Sequence, residues 1–206
     1  MIIGIIGKAR AGKDTLASYL GEEFNAQKNN TYVMIAYALE LKKRVQRDFD
    51  LSYEQLWGDL KEVPDLRYPK DGLGISSNPA DYWSPREFLQ DYGQFFRDKD
   101  INYWVKALFN VIEDKGYDNV IITDCRHANE VYPIIDRGGV VLRVSRPIEG
   151  AAQQPNHISE ISLDKVDFEI DFDVRNEGTK DDLRGQAKIL VPWIADLHNM
   201  KLKEID

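Results

Sequence analysis

Residues Gly7 to Thr15 read G-K-A-R-A-G-K-D-T, directly after the apolar run Ile2-Ile3-Gly4-Ile5-Ile6 and directly before a stretch with helical periodicity, Asp14 to Phe24. The spacing G-x-x-x-x-G-K between a strand and a helix constrains both fold and chemistry. Its glycines let successive backbone N–H groups curl around an anion, and the following helix N-terminus adds favourable dipole charge. Gly7, Arg10, Ala11, Gly12, Lys13, Asp14 and Thr15 are therefore predicted to cradle the phosphates of a nucleoside triphosphate, with Lys13 reaching the terminal ones. A turn that merely joined strand to helix would leave Lys13 unexplained.

One position departs from the common form. Where such loops usually carry Ser or Thr against magnesium, this chain has Asp14, with the hydroxyl one place later at Thr15. Asp14 has two roles open to it: holding Mg2+ through water, or capping the helix, where an acid in the first turn complements the dipole. The chain contains no Asn-Lys-x-Asp segment of the kind that reads guanine, which argues against a switch GTPase.

The 206 residues, 43% hydrophobic, suffice for one core and predict a single domain. A net charge of -8 argues against a broad nucleic-acid surface or an anionic membrane as partner, so bound anions must be gripped by local Arg and Lys. Cys125 is the lone cysteine and cannot form an internal disulfide. The start Met1-Ile2-Ile3 carries no signal-peptide pattern, and no apolar run is long enough to cross a bilayer. The expectation is a soluble cytoplasmic protein acting on small molecules; a homodimer is compatible with the sequence.

Strand-like runs at Ile2 to Ile6, Tyr32 to Ala36, Val120 to Thr123, Val140 to Val144 and Phe168 to Val174 alternate with helical patterns, which predicts an α/β fold with a five-stranded, mostly parallel sheet. The helical stripes are Leu16-Leu20-Phe24, Leu39 to Phe49, Ile101-Trp104-Val105-Leu108-Val111-Ile112, and Leu183-Ala187-Leu190-Ile194-Leu197. Ser84-Pro85-Arg86-Glu87 joins an N-cap, a first-turn proline and a glutamate three residues after the cap, and so predicts a helix running to about Arg97. Two polar segments interrupt the pattern, about 58–83 and about 146–166. Long loops of this kind are commonly functional, and these are read as an acceptor-site wall and a lid.

The run Val120-Ile121-Ile122-Thr123-Asp124 ends an apolar strand in an acid, and Arg126 follows two residues later. Asp124 is suited to orient magnesium waters beside the phosphate loop, and Arg126 to hold a phosphate, because phosphoryl transfer depends on positioning and on neutralising phosphate oxygens. The aromatic group Tyr82, Trp83, Tyr92 and Phe96, with Gln90, offers stacking and hydrogen bonding to a base, although core packing competes for each ring. His127 and His198 lack metal-ligand spacing, and His157 is assigned no more than a minor role in the lid.

Taken in order, Gly7 to Thr15, Ala38-Leu39-Glu40-Leu41-Lys42, Arg86 to Gly93, Tyr103-Trp104-Val105, Thr123-Asp124-Cys125-Arg126, Asn129-Glu130, Val144-Ser145-Arg146-Pro147, His157-Ile158-Ser159-Glu160 and Asn176-Glu177-Gly178-Thr179 carry a resemblance. The chain resembles the phage-type deoxynucleoside monophosphate kinases of the P-loop kinase superfamily, and more distantly animal phosphomevalonate kinase, which shares the G-K-D loop. The resemblance implies a P-loop kinase fold with helices on both faces of the sheet, an acceptor-binding insertion at about 39–100 and a lid at about 146–166. It implies ATP and Mg2+ as cofactors, with Asp14 and Asp124 toward the metal. Lys13, Asp124, Arg126 and Arg146 would carry the chemistry; Asn176 and Gly178 would lie against the donor base. Lys42, Arg86, Gln90, Arg97 and Arg126 would hold the acceptor, a deoxynucleoside monophosphate converted to its diphosphate. The rivals are another small-molecule kinase, such as a phosphomevalonate kinase, and an ATP-binding regulatory module without catalysis.

Overall fold

A computed structural model describes residues 1–27, 31–74, 76–147 and 168–205. Two compact units emerge: one from Met1–Tyr37 with Leu108–Asp206, the other from Ala38–Ala107. The second is a single excursion of the chain between the second and third strands of the first, and the segment expected as an insertion lies within it.

The first unit holds the sheet. Its strands are β1 (Ile2–Ile6), β2 (Tyr32–Ile35), β3 (Asn119–Cys125), β4 (Val140–Ser145) and β5 (Phe172–Arg175), in the order β2-β3-β1-β4-β5. All four pairings are parallel, as expected when strands are joined by helical crossovers. Because side chains alternate along a strand, Ile3, Ile5, Ile121, Val140, Leu142 and Val144 share one face. There they bury against Leu16, Leu20 and Phe24 of α1 (Lys13–Asn25) and Leu183, Ala187, Leu190 and Ile194 of the terminal helix, Lys180–Ile205. On the other face Gly4 leaves room for α6 (Ala128–Ile135): a methyl group there would come within 2.6 Å of Ile134 Cδ1.

The second unit is mainly helical, with α2 (Ala38–Phe49), α3 (Tyr53–Leu56), α4 (Pro85–Lys99) and the start of α5 (Tyr103–Lys115); the terminal helix is then α7. The capping box predicted at Ser84 is present, with Ser84 and Glu87 exchanging side-chain and backbone bonds. Its core is largely aromatic. Phe88 and Trp104 bury beside Leu41, Val45, Leu51 and Leu56, and Phe49, Tyr68, Trp83, Tyr92, Phe96 and Tyr103 pack around them.

Three sequence expectations need correction. The fifth strand starts at Phe172 rather than Phe168, because the Asp171 carboxylate takes the N–H of Val141 at 2.7 Å and also binds Lys201 at 2.7 Å; a side chain there does the work of a ladder bond. Ile101 stands before α5 and is 58% exposed, so the apolar stripe of that helix begins at Trp104. The segment read as a long loop at about 58–83 contains two 3-10 turns, Asp59–Glu62 and Pro79–Asp81, and an antiparallel bridge between Pro69 and Tyr82. Asp65 organises it. Its buried carboxylate accepts from Gln55 at 2.8 Å and from both the backbone and the guanidinium of Arg67, the shortest of these at 2.7 Å.

Candidate active site

In the first unit the parallel strands all deliver their carboxyl ends to one edge, and the predicted phosphate loop opens there as β1 gives way to α1. Three left-handed residues shape it: Gly7 (φ 147°), Arg10 (φ 63°) and Gly12 (φ 101°). At Gly7 a side chain would collide with the carbonyl oxygen of Val144, and at Gly12 with the amide of Asn176, so both positions combine an unusual φ with backbone or buried neighbours. Arg10 takes the left-handed region without that freedom and is exposed, as befits a residue in a functional loop.

Lys13 begins α1, and its ammonium donates to the carbonyls of Gly7 at 2.7 Å and Lys8 at 2.9 Å. The cation is thus folded back over the mouth of its own loop. Asp14 occupies the first turn and is exposed, whereas Thr15 is half-buried. The N-cap itself is Gly12, which supplies no side-chain bond.

The tip of β3 brings the second group to this edge. Between Gly4 and Ile6 of β1 the register against β3 moves from Ile122 to Cys125, so β3 carries one extra residue there. Such a bulge re-aims the side chains beside it. Asp124 lies in it, half-buried, with Oδ1 accepting the backbone N–H of Tyr37 at 2.7 Å. Arg126 follows on the exposed turn into α6. Cys125, between them, is fully buried, and that burial pushes its thiol well above its ordinary range, which makes it a packing residue rather than a nucleophile. Arg146 is exposed just beyond β4.

Asn176, at the end of β5, lies 6% exposed and donates from Nδ2 to the carbonyl of Ala11 at 2.8 Å, while its backbone N–H binds Ser145 at 2.8 Å. Its side chain is therefore spent on holding the phosphate loop. Gly178 is exposed two residues on, and Thr179 caps α7 through reciprocal bonds with Asp182 at 2.7 Å and 3.2 Å. The cap at Thr179 and the strut from Asn176 coexist in one loop.

The remaining predicted residues belong to the second unit. Arg86, Gln90 and Arg97 recur at i, i+4 and i+11 on α4 and so share one helical stripe. Arg86 is ion-paired with Glu62. Gln90 is exposed, and Arg97 is half-buried beside Gly93. Lys42 on α2 places its ammonium 5.5 Å from the ring centre of Trp57. The four aromatics offered for base stacking are taken up by packing: Trp83, Tyr92 and Phe96 line the core of the unit, and Tyr82 is buried with its hydroxyl on the carbonyl of Ser76 at 2.7 Å. Apart from Arg146 and Pro147, the expected lid lies outside the described residues, as does His157.

Sequence reasoning assigned no role to Tyr37 and used Glu130 only as part of a resemblance. The hydroxyl of Tyr37 donates to the carbonyl of Glu130 at 2.6 Å. Glu130 Oε2 accepts the backbone N–H groups of Arg126 at 2.7 Å and His127 at 3.1 Å. A glutamate three residues after a helix start, ahead of an apolar run, was the available signal.

Among solved structures the chain is similar to shikimate kinase from Aquifex aeolicus (17% identical, TM-score 0.44, covering 95% of this chain and 98% of that one). It is also similar to dephospho-CoA kinase from Campylobacter jejuni (14% identical, TM-score 0.46, covering 94% and 96%). A protein of Acanthamoeba polyphaga mimivirus, whose own assignment as a deoxynucleotide monophosphate kinase is provisional, is 28% identical over 176 residues, or 81% of this chain and 83% of that protein. The family model for deoxynucleotide monophosphate kinase matches residues 72–187, more than half of the chain and inclusive of α4, β3 and β5. With its phosphate loop, parallel sheet and acid-arginine strand tip in place, the chain belongs to the deoxynucleotide monophosphate kinase family and is an ATP-dependent phosphotransferase.

Proposed function

We infer that the enzyme transfers the γ-phosphoryl group of ATP to a deoxynucleoside monophosphate, giving a deoxynucleoside diphosphate and ADP. The observation that carries this reading is one sheet edge that presents both a formed phosphate loop with Lys13 and the pair Asp124 and Arg126, in a chain of this family. An acceptor phosphate is already ionised, so the protein need not remove a proton to make it a nucleophile. Its task is to position two polyanions and balance their charge.

Lys13 leaves its loop carbonyls for the oxygens of the donor's terminal phosphates, and the N–H groups of the loop and of the first turn of α1 hold the remainder. Arg126 takes the acceptor phosphate, and Arg146 the group in transfer. Arg86, Gln90, Arg97 and Lys42 are the acceptor-contacting residues proposed for the inserted unit. Gly178 lies toward the donor base, and Asn176 beside it sets the shape of the loop that holds the phosphates.

The carboxylates fit magnesium. Mg2+ prefers hard oxygen ligands, one or two carboxylates completed by water and phosphate, and Asp14 and Asp124 provide that set. Asp124 has its orientation fixed by Tyr37. Among the described residues no group of three or more His, Cys, Asp or Glu is suited to a metal, and the two carboxylates are proposed to share the ion with water and the phosphates of ATP. Bound there with ATP, the ion would neutralise phosphate oxygens.

The test is an ADP-release assay across the common ribo- and deoxynucleoside monophosphates, with phosphomevalonate as a further acceptor. The expected result is ADP formation that depends on a deoxynucleoside monophosphate, with the matching diphosphate recovered. Release that no nucleotide acceptor stimulates would refute the reading, and stimulation by phosphomevalonate alone would replace it.

A further inference from the structure

Glu130 is 3% exposed, and its carboxylate meets the backbone of the turn that carries Arg126. Burial of a carboxylate is unfavourable unless hydrogen bonds replace its water, and here two N–H donors converge on Oε2. One would suffice to start a helix. The second donor is the N–H of Arg126 itself, which lies outside α6 and before its N-cap, His127. Glu130 therefore fixes the backbone at the arginine rather than only the end of the helix.

The same residue reaches Asp124 by a second route. Its carbonyl accepts the buried hydroxyl of Tyr37, and the backbone N–H of Tyr37 binds Asp124 Oδ1. Burial raises the Tyr37 hydroxyl far above its ordinary pKa, so it stays a proton donor at every working pH. The two groups that face phosphate and metal are thus tied through Tyr37 to one buried glutamate, which itself lies too deep to touch substrate.

We propose that Glu130 is a positioning residue for phosphoryl transfer, holding Arg126 in register for the acceptor phosphate and, through Tyr37, steadying Asp124. This rests on the reading that Arg126 binds the acceptor. The role predicts a selective kinetic signature: acceptor use suffers, whereas ATP binding on the phosphate loop does not.

The experiment compares the wild-type enzyme with Glu130→Ala, Glu130→Gln, Tyr37→Phe, Arg126→Ala and the Glu130→Ala/Arg126→Ala pair. It measures the ATP dissociation constant, and kcat and KM for the best deoxynucleoside monophosphate from the acceptor screen. Glu130→Ala should lower kcat/KM for the acceptor by about tenfold or more with ATP affinity within about twofold. Gln, whose amide oxygen can accept both N–H groups, should recover most of the loss. On the Arg126→Ala background Glu130→Ala should add little, since the two act as a unit. If Glu130→Ala does not fold, Tyr37→Phe carries the test, with an expected fall of about threefold or more in acceptor kcat/KM and unchanged ATP affinity. Equal loss of ATP affinity, no recovery by Gln, fully multiplicative effects, or an unaffected Tyr37→Phe would overturn the proposal. An unimpaired Arg126→Ala enzyme overturns the reading of Arg126 and the proposal with it; an impaired one beside an unaffected Glu130→Ala overturns the proposal alone.

Discussion

The phosphate loop and the inserted unit are held together by different means. In the loop, backbone meets backbone or a buried amide: Gly7 lies against the carbonyl of Val144, and Asn176 reaches across the sheet edge to Ala11. In the insertion, rings meet rings. Phe88 packs on Phe49 at 4.5 Å between centroids and Phe96 on Tyr103 at 4.5 Å, while Arg67 and Asp65 pin an otherwise irregular segment. Backbone shape tolerates no added atom, whereas a cluster of large side chains can repack around a modest change. A site that must match phosphate geometry is accordingly built on the first kind of contact.

The comparison breaks most readily at Gly7. Gly7→Ala adds a methyl group against a carbonyl at a φ that alanine resists, so we expect ATP binding to fall by about a hundredfold or more, read by titration calorimetry. Lys13→Ala should lower turnover to a similar degree while leaving the thermal midpoint nearly unchanged, because it removes a cation from the transferring phosphate without disturbing the core. A folded Lys13→Ala enzyme with normal turnover would end the phosphate-loop assignment.

Asn176→Ala is expected next in size. It strands the carbonyl of Ala11, which costs about 1–3 kcal/mol in denaturant unfolding, and it should weaken ATP by about tenfold without a separate effect on the acceptor. An acceptor defect with intact ATP affinity would show that Asn176 belongs to another part of the site.

The smallest effect belongs to the insertion. The Arg67 side chain holds the Asp65 carboxyl down at about 2, with Gln55 assisting. Because the folded pKa lies below the unfolded one near 4, the stabilisation is complete above about pH 4 and disappears as pH falls toward 2. Asp65→Asn should therefore cost about 1–2 kcal/mol at neutral pH, discounted for the half-exposed Arg67, and the difference from wild type should close through that window in acid unfolding experiments. A difference that persists below pH 2 would mean the site is held by packing instead.

Much of this was legible in the chain, and the exceptions share a cause. The phosphate loop, the capping box at Ser84 and the strands could be read because each depends on neighbours in sequence. The start of β5 could not, since Asp171 acts on Val141, thirty residues away. The same holds for Asn176 on Ala11 and for Tyr37 on Glu130, where a polar side chain spends its bond on a distant backbone group. Aromatic residues were ambiguous for the opposite reason: Tyr82, Trp83, Tyr92 and Phe96 suit a base as well as a core, and nothing local distinguishes the two.

The extra residue in β3 between Ile122 and Cys125 has a consequence for how this chain can change length. Ile6 faces Cys125 just as Gly4 faces Ile122, so removing one residue there would restore an unbroken ladder against β1 and leave every later residue on its present face, but would abolish the bulge in which Asp124 lies. The shortened strand would pair better and no longer aim Asp124 at the backbone of Tyr37. Sheet regularity and the placement of Asp124 thus compete at this tip, and if Asp124 has the role proposed for it, a deletion that a purely structural strand would welcome should cost activity here.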